Sequence, residues 1–254
     1  MNVVDDVNDA DEPIELFTPG IAIIEGPIGV GKSTLCDSIA EYAQKKGLNV
    51  LKIGNDKYPF DMFRRAIDGG YVVIIYEESI ANPYLEKFYS DMQKYAYVMQ
   101  KHMHSKREEG NSIAGLLKGA GNRVIQDRSI FSDEVFYFVN EEHMTNSERQ
   151  KYWKNRQSFL SKCNMPDIAV YLGCSAETCV ERVLSRSIDC EKSIPVEYHQ
   201  DVINIHEDKW KGNMQRIGCK VVELDWGNSN KYDKDSLYDM ILKGDSSLLL
   251  GDLC

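Results

Sequence analysis

Gly26-Pro-Ile-Gly-Val-Gly-Lys-Ser-Thr34 decides the fold of this chain, because its spacing, Gly26-x4-Gly31-Lys32-Ser33, is that of a Walker A loop. Glycines let backbone N–H groups close around phosphate oxygens, and the N-terminus of the following helix adds a favourable dipole. An apolar run directly precedes the loop and an amphipathic segment follows it, which is the strand–loop–helix context that the motif requires. The sequence therefore predicts a loop that binds the phosphates of ATP.

Within this loop two side chains have expected roles toward the nucleotide. Lys32 is expected to reach the β- and γ-phosphates, and Ser33 to ligate Mg²⁺. ATP and Mg²⁺ are therefore the expected cofactors. The predicted ATP-binding residues are Gly26, Pro27, Ile28, Gly29, Val30, Gly31, Lys32, Ser33 and Thr34.

Short apolar runs alternate with amphipathic helical segments, the pattern of βα units in a parallel sheet. The predicted strands are Ile21–Glu25, Tyr71–Tyr76, Arg123–Asp127, Asp167–Leu172 and Lys220–Asp225, with Asn49–Ile53 as a possible further strand. The predicted helices are Ser33–Lys46, about 82–107, and segments within 132–162, 175–186, 195–212 and 234–243. The expected fold is a three-layer α/β/α P-loop kinase fold with a five-stranded parallel sheet and a helical lid.

Length and composition fit one sizeable α/β domain, because 254 residues would be cramped as two. Residues 1–18 are acidic and are expected to be a disordered lead-in. The kinase domain is expected at 19–244, with the lid at about 182–195, and residues 245–254 are expected to form a C-terminal tail.

The charge and cysteine pattern limits the classes of partner. A formal net charge of −10 argues against a surface for nucleic acid or anionic lipid. No stretch approaches the roughly 18 apolar residues that span a membrane, and no Lys or Arg precedes Lys32, as a signal or transit peptide would need. Seven scattered cysteines without a CxxC pair indicate reduced thiols. We expect a cytoplasmic protein with neither a nucleic-acid nor a membrane partner.

Polar residues lie at the carboxyl ends of two predicted strands, at the sheet edge where open α/β sheets bind ligands. Glu77, after Tyr76, is placed to orient a hydroxyl or accept its proton, and the alternative is an exposed acidic loop. Asp127 is placed as a magnesium ligand or as an acid supporting one. Arg128 is placed to hold an acceptor oxygen or a phosphate. For Asp127 and Arg128 the alternative is a helix N-cap with a salt bridge.

Two helical segments carry polar residues on one face. Tyr89, Gln100 and Arg107 are 11 and 7 residues apart, so they line up along a predicted helix and suit a pocket for a small polar ring. A core helix with polar residues at its rim is the alternative. Arg182 and Arg186 share a helical face and suit a lid that stabilises a transferring phosphoryl group. The alternative for this pair is a solvated basic face.

Taken together, the motifs resemble the deoxynucleoside kinase family over roughly residues 21–226. The segments that carry the resemblance are Glu25–Thr34, Tyr76-Glu77, Asn82–Tyr89, Asp91-Met92 with Tyr95-Ala96, Gln100, Asp127–Ser129 with Asp133, and Glu181-Arg182 through Glu191 to Tyr198. The Asn-Pro-Tyr-Leu run is most similar to bacterial-type purine deoxynucleoside kinases.

The resemblance implies an activity and a set of residue roles. The activity is transfer of the γ-phosphoryl of ATP to the 5′-hydroxyl of a 2′-deoxynucleoside, by a homodimer that serves nucleotide salvage. Glu77 matches the carboxylate that acts on the 5′-hydroxyl, and Arg128 the arginine that contacts it. Tyr89 and Glu191 match the residues that hold the 3′-hydroxyl. Gln100 matches the amide that pairs with the base edge.

The resemblance also bears on base preference. Arg107 and Asp133 match the pair of members that favour deoxycytidine and purine deoxynucleosides, and thymidine-preferring members are less similar. Asp133 can accept from an exocyclic amino group, which thymine lacks. Three features depart from the family pattern: Glu78 in place of proline, Ile188 in place of a second lid arginine, and a longer segment around 50–70.

Two other functions are compatible with the motifs. A nucleoside-monophosphate kinase of the thymidylate type would need additional arginines facing the acceptor, and the helical stripe supplies only Arg107. The second alternative is a catalytically silent homologue that only binds nucleotide. The missing lid arginine favours this alternative. The opposing observation is the joint presence of Lys32, Glu77, Asp127 and Arg128.

Overall fold

A six-stranded parallel sheet forms the centre of the computed structural model, which describes residues 16–54, 60–77, 82–186 and 188–250. The strands are β1 (Gly20–Glu25), β2 (Asn49–Ile53), β3 (Tyr71–Ile75), β4 (Arg123–Asp127), β5 (Ile168–Gly173) and β6 (Lys220–Asp225). Their order across the sheet is β2-β3-β4-β1-β5-β6. Residues 1–15 of the predicted acidic lead-in lie outside the described residues, as do position 78 and residues 251–254.

The prediction of five strands is wrong by one, because Asn49–Ile53 is the strand β2. This strand lies at the edge of the sheet and pairs only with β3. Its Asn49 and Lys52 are exposed, so it lacks the continuous apolar run of a central strand. The five predicted strands are all present, each within one residue of its predicted ends.

Helices cover both faces of the sheet. They are α1 (Lys32–Lys45), α2 (Phe60–Ala66), α3 (Leu85–Ser90), α4 (Met92–Gly119), α5 (Asp133–Asn140), α6 (Asn146–Leu160), α7 (Ala176–Leu184), α8 (Val196–Ile205), α9 (Lys211–Arg216), α10 (Lys234–Lys243) and α11 (Ser247–Leu250). A π-helical turn, His206–Trp210, joins α8 to α9, and the predicted lid contains the 3₁₀ turn Asp189–Ser193. Across the described ranges, none of the helices has the length and apolarity needed to cross a membrane.

Two apolar clusters confirm the three-layer α/β/α architecture. Alternate residues of β1 point to opposite faces: Ile21 and Ile23 pack with residues of α4 and α8, whereas Ala22 and Ile24 pack with residues of α1 and α10. Burial of both faces is why the central strands are continuously apolar.

The predicted long helix differs from the observed one at both ends. It is interrupted at Asp91, whose extended backbone separates α3 from α4 and whose side chain caps α4 by accepting from the Lys94 N–H at 3.1 Å. The helix then continues to Gly119, past its predicted end near residue 107. At Gly115 an added Cβ would collide with the Asn164 amide, whereas at Gly110 it would make an ordinary van der Waals contact with Gln126 Nε2 at 3.5 Å. Gly115 thus permits close packing of α4, and neither glycine terminates the helix.

Candidate active site

The loop at residues 26–34 joins β1 to α1 and requires glycine at specific points. Gly26, Gly29 and Gly31 have φ of 144°, 85° and 108°, which side-chain-bearing residues rarely adopt. A Cβ at Gly26 would lie 2.5 Å from the Leu172 carbonyl oxygen, so the loop passes tightly against the end of β5. At the N-cap of α1 there is no side-chain hydrogen bond. The first N–H groups of α1 are thus not occupied by a capping side chain and can receive an anion.

Lys32 folds across this loop. Its Nζ donates to the carbonyl oxygens of Pro27 at 2.9 Å and Gly26 at 3.2 Å. Burial, together with the nearby Arg128 charge, lowers the pKa of Lys32 to about 8. A phosphate group beside Lys32 would favour its charged form, so the side chain is prepared for an anionic ligand.

Ser33 and Asp127 meet because β4 pairs with β1, which places the end of β4 beside the loop. Ser33 Oγ donates to Asp127 Oδ2 at 2.5 Å, and the buried Asp127 Oδ1 has no hydrogen-bond partner among the described residues. Burial raises the pKa of the Asp127 carboxyl, although Lys32 and Ser33 act against that rise. An orphaned carboxylate oxygen beside a hydroxyl is a donor set that fits Mg²⁺. These two predicted metal ligands are therefore brought together.

Arg128 has a left-handed backbone, with φ of 64°. This conformation costs a non-glycine residue about 1–2 kcal/mol. Its guanidinium pairs with two carboxylates: Nη1 lies 3.0 Å from Glu25 Oε1 and Nε lies 2.9 Å from Glu77 Oε2. The guanidinium carbon also lies 4.7 Å from the centre of the Phe136 ring. These contacts hold the Arg128 side chain beside Glu77.

Glu25 anchors this arrangement from inside the protein, and the sequence analysis assigned it no role. It is completely buried and accepts from the Gly26 N–H at 3.0 Å, the Ser132 hydroxyl and His206 Nε2 at 3.2 Å, besides Arg128. Burial alone would raise the pKa of Glu25, but His206, Arg128 and Ser132 outweigh it and lower that pKa to about 2. The available sequence signal was a glutamate at the end of an otherwise apolar strand.

Glu77 lies between two arginines. Its Oε1 accepts from Arg107 Nε at 3.0 Å and Nη2 at 2.6 Å, and its Oε2 forms an ion pair with Arg128, whose Nε lies 2.9 Å away. The side chain is 21% exposed and lines the cleft described below. Glu77 is thus a held carboxylate that a small ligand can reach.

Asp133 holds two predicted base-reading residues from behind. Its Oδ1 accepts from Gln100 Nε2 at 2.8 Å and from Arg107 Nη1 at 3.1 Å, while its Oδ2 contacts His104 Nδ1 at 2.8 Å and the Tyr152 hydroxyl at 2.7 Å. Burial raises the pKa of Asp133, but His104 and Arg107 more than compensate and leave it below its usual value. The side chain has no exposed surface and does not line the cleft.

The side of the cleft next to the 3₁₀ turn Asp189–Ser193 is lined by Tyr89, Asn140, Glu191 and Tyr198. Asn140 Nδ2 donates to the Tyr198 hydroxyl at 3.0 Å, and the Tyr89 and Tyr198 rings meet edge to face. Within the part of the chain that the structure describes, the buried Glu191 Oε2 has no hydrogen-bond partner; Arg186 Nη1 lies 3.8 Å from it, and burial raises the pKa of Glu191. An orphaned carboxylate oxygen beside a tyrosine can receive a ligand hydroxyl.

A central cleft of about 910 Å³, including solvent at its mouth, brings most of the predicted site together. The predicted residues that line it are Ile28, Gly29, Lys32, Ser33, Glu77, Tyr89, Gln100, Arg107, Asp127, Arg128, Arg186 and Glu191. Arg182 is placed elsewhere, because it donates to the carbonyl oxygens of Val30 at 2.8 Å and Trp226 at 3.2 Å. It braces the back of the 26–34 loop.

The other residues that line the cleft were given no individual role by the sequence analysis. The apolar wall is formed by Leu85, Phe88, Ala96, Met99, Met103 and Phe136, and Asn82, Asn140 and Tyr198 add polar groups. Phe136 is the most consequential, because both Arg107 and Arg128 stack on its ring. Its helical position three residues after Asp133 was a weak signal, since no motif identifies it.

Comparison with known proteins places this site in a family. The sequence model described as "Deoxynucleoside kinase" matches residues 22–243. A deoxyguanosine kinase of Dictyostelium discoideum is 34% identical over 163 residues, 63% of this chain and 56% of that protein. A deoxyadenosine kinase of the same organism is 30% identical over 169 residues, 65% of this chain and 66% of that protein. The chain thus spans less than two thirds of the length of these curated relatives.

A solved structure gives the same fold. Deoxyadenosine kinase from M. mycoides with bound dATP superposes with a TM-score of 0.61 at 24% identity, covering 82% of this chain and 91% of that one. Because the family match extends from β1 to the end of α10, it includes every lining residue of the central cleft. This chain therefore belongs to the deoxynucleoside kinase family.

Proposed function

We propose that this protein is a deoxynucleoside kinase that uses ATP and Mg²⁺ to phosphorylate the 5′-hydroxyl of a 2′-deoxynucleoside. The observation that carries the proposal is the position of Glu77, a reachable carboxylate in the same cleft as Lys32, Ser33 and Asp127. Phosphate-binding groups and a candidate proton acceptor thus share one cavity. The family match supports the same activity.

The triphosphate is proposed to bind at the 26–34 loop, where free N–H groups of α1 and the Lys32 ammonium meet its charge. Ser33 and Asp127 would hold Mg²⁺, which when bound neutralises charge on the phosphates. Arg186, at the lid side of the cleft, would contact the transferring phosphoryl group, and Arg182 would keep the loop in place.

In the proposed reaction the 5′-oxygen forms a bond to the γ-phosphorus while the bond from that phosphorus to the β,γ-bridging oxygen breaks, which releases ADP. The hydroxyl proton passes to Glu77. Arg128 keeps Glu77 in position and lies close enough to contact the 5′-oxygen. Tyr89 and Glu191 would hold the 3′-hydroxyl, an assignment supported by the orphaned Oε2 of Glu191.

At the base end, Gln100 gives its Nε2 to Asp133, so its Oε1 is the atom that can accept from a base N–H. Arg107 would donate to a ring nitrogen. We propose that Asp133 acts through these two residues and not by direct contact, since it has no exposed surface. The names of the Dictyostelium relatives support a preference for purine deoxynucleosides, and by likeness to the family we extend the proposal to deoxycytidine over thymidine.

By likeness to the family we also propose a homodimer that acts in nucleotide salvage in the cytoplasm. Sedimentation equilibrium checks the first part: a mass near twice 29.0 kDa is expected, and a monomer at all concentrations contradicts it.

A monophosphate acceptor is disfavoured by the pairing of the cleft arginines. Arg107 and Arg128 are both engaged by Glu77, so neither is a free cation for a second phosphate at that end.

The test is ATP-dependent phosphorylation of deoxyadenosine, deoxyguanosine, deoxycytidine and thymidine, each beside its monophosphate as a parallel acceptor. Formation of monophosphate from at least one nucleoside is expected, with thymidine the poorest. Phosphorylation of monophosphates alone would make the protein a monophosphate kinase. Binding of ATP without any product would make it a silent homologue.

A further inference from the structure

Charged and polar side chains succeed one another along the central cleft and behind its wall. The series begins at Asp127 beside Ser33 and passes through Arg128, Glu77, Arg107 and Asp133 to Gln100. The first end is the candidate phosphate site and the last is the candidate base site. Arg107 is the member that joins them, because it contacts Glu77 on one side and Asp133 on the other.

Arg107 occupies one oxygen of Glu77 completely. Its Nε and Nη2 both donate to Oε1, which fills the two lone pairs of that oxygen. Among the described residues, Oε2 is paired only with Arg128, whose Nε lies 2.9 Å away in an ion pair, and it keeps a lone pair for an incoming hydroxyl. Arg128 lies near enough to Lys32 and Asp127 to act on the pKa of each, so Oε2 is the Glu77 oxygen nearer the phosphate side of the cleft.

Arg107 is itself held rigidly. Its guanidinium stacks 5.2 Å from the centre of the Phe136 ring, and its Nη1 pairs with Asp133, which His104 and Tyr152 fix from behind. Only 6% of the Arg107 side chain is exposed. Burial by itself lowers the pKa of Arg107, but Glu77 and Asp133 outweigh burial and raise it above its usual range.

We propose that Arg107 is a positioning residue for Glu77: it fixes Oε1 so that Oε2 alone faces the acceptor hydroxyl, and it thereby couples base recognition to phosphoryl transfer. Three of its five N–H groups are committed to Glu77 and Asp133, which leaves two for a base nitrogen. A base that bonds to those groups steadies the same guanidinium that orients the carboxylate. This inference rests on the proposed function and adds a role for Arg107 beyond reading the base.

The experiment is a double-mutant cycle between Arg107 and Glu77. Arg107→Gln, Glu77→Gln and the double variant are compared in kcat and in KM for the deoxynucleoside, from steady-state initial rates at saturating Mg-ATP. Arg107→Gln leaves Asp133 its contacts with Gln100, His104 and Tyr152, so the fold should survive. The matched control is Arg64→Gln, at an exposed position of α2 outside the cleft.

We expect Arg107→Gln to lower kcat at least about tenfold, because a general base contributes about 10²–10⁴-fold only when it is correctly oriented. In the Glu77→Gln background the same change should cost less than about threefold, since no carboxylate remains to orient. Arg107→Lys, which keeps the charge without the two-pronged contact, should give an intermediate kcat and repeats the test if Arg107→Gln unfolds.

Two outcomes would overturn the inference. The first is an Arg107→Gln variant with raised KM for the nucleoside and unchanged kcat, which would make Arg107 a base reader only. The second is an equal loss of kcat in both backgrounds. Absence of nucleoside phosphorylation by the unmodified protein in the same assay would instead contradict the proposed function, so the two failures are distinguishable.

Discussion

Replacement of Glu25 by glutamine removes the one negative charge that Arg128 and His206 share inside the protein. The folded state lowers the pKa of this carboxyl from an ordinary value of 4.5 to about 2. A difference of that size corresponds to about 3 kcal/mol of stabilisation at pH 7. Glu25→Gln keeps the shape and loses this contribution, and it also leaves buried Arg128 with Glu77 as its remaining carboxylate partner.

The pH dependence has a defined sign. Because the folded-state pKa of Glu25 is depressed, its contribution is fully present above about pH 4.5 and is lost as the pH falls toward 2. At pH 3.5 about 2 kcal/mol of it should remain. The stability gap between the unmodified protein and Glu25→Gln should therefore narrow below pH 4.5.

Urea unfolding followed by circular dichroism at pH 7 and at pH 3.5 measures both quantities. Glu41→Gln is the matched control, because Glu41 is exposed on α1 and its replacement should change stability by less than about 0.5 kcal/mol. A Glu25→Gln variant as stable as this control at pH 7, or a gap that does not narrow in acid, would refute the reasoning.

Further predictions concern the phosphate end of the cleft. Since the pKa of Lys32 is lowered to about 8, the free protein loses this charge as the pH rises, and calorimetry should show the Kd for ATP rising about tenfold from pH 7 to pH 9; a Kd independent of pH would contradict this. Asp127→Asn should lower kcat about 10-fold or more and raise the Mg²⁺ concentration needed for half-maximal rate, measured by Mg²⁺ titration, and an unchanged titration would exclude Asp127 as a ligand. Ile188→Arg should raise kcat about threefold by adding a lid cation near the phosphoryl group, and no gain in initial rate would show that the missing arginine is not limiting.

Local motifs account for the parts of the site that the sequence could predict. The 26–34 loop is specified by glycines whose conformations the structure requires. Asp127 ends the buried strand β4 and Arg128 follows it, so their place at the sheet edge followed from the fold. The three-layer architecture was predictable from the alternation of apolar strands and amphipathic helices, and the five predicted strands are confirmed.

Contacts between distant segments account for what could not be predicted. Glu25 and His206 are 181 residues apart, and nothing in either segment announces their pairing. Gly115 would suit a helix end locally, but it lies inside α4 and permits the approach of that helix to Asn164. The burial of Asp133 behind Gln100 and Arg107 depends on how α4, α5 and α6 pack together, which a one-dimensional pattern does not specify.

The most direct test of the central claim is the single-turnover rate of Glu77→Gln with Mg-ATP and the preferred deoxynucleoside, measured beside Glu41→Gln. If Glu77 receives the 5′-hydroxyl proton, the rate should fall about 100-fold or more, while ATP affinity stays close to that of the control. A Glu77→Gln rate within about twofold of the control would contradict the account, because the carboxylate at the centre of the cleft would then have no part in the chemistry.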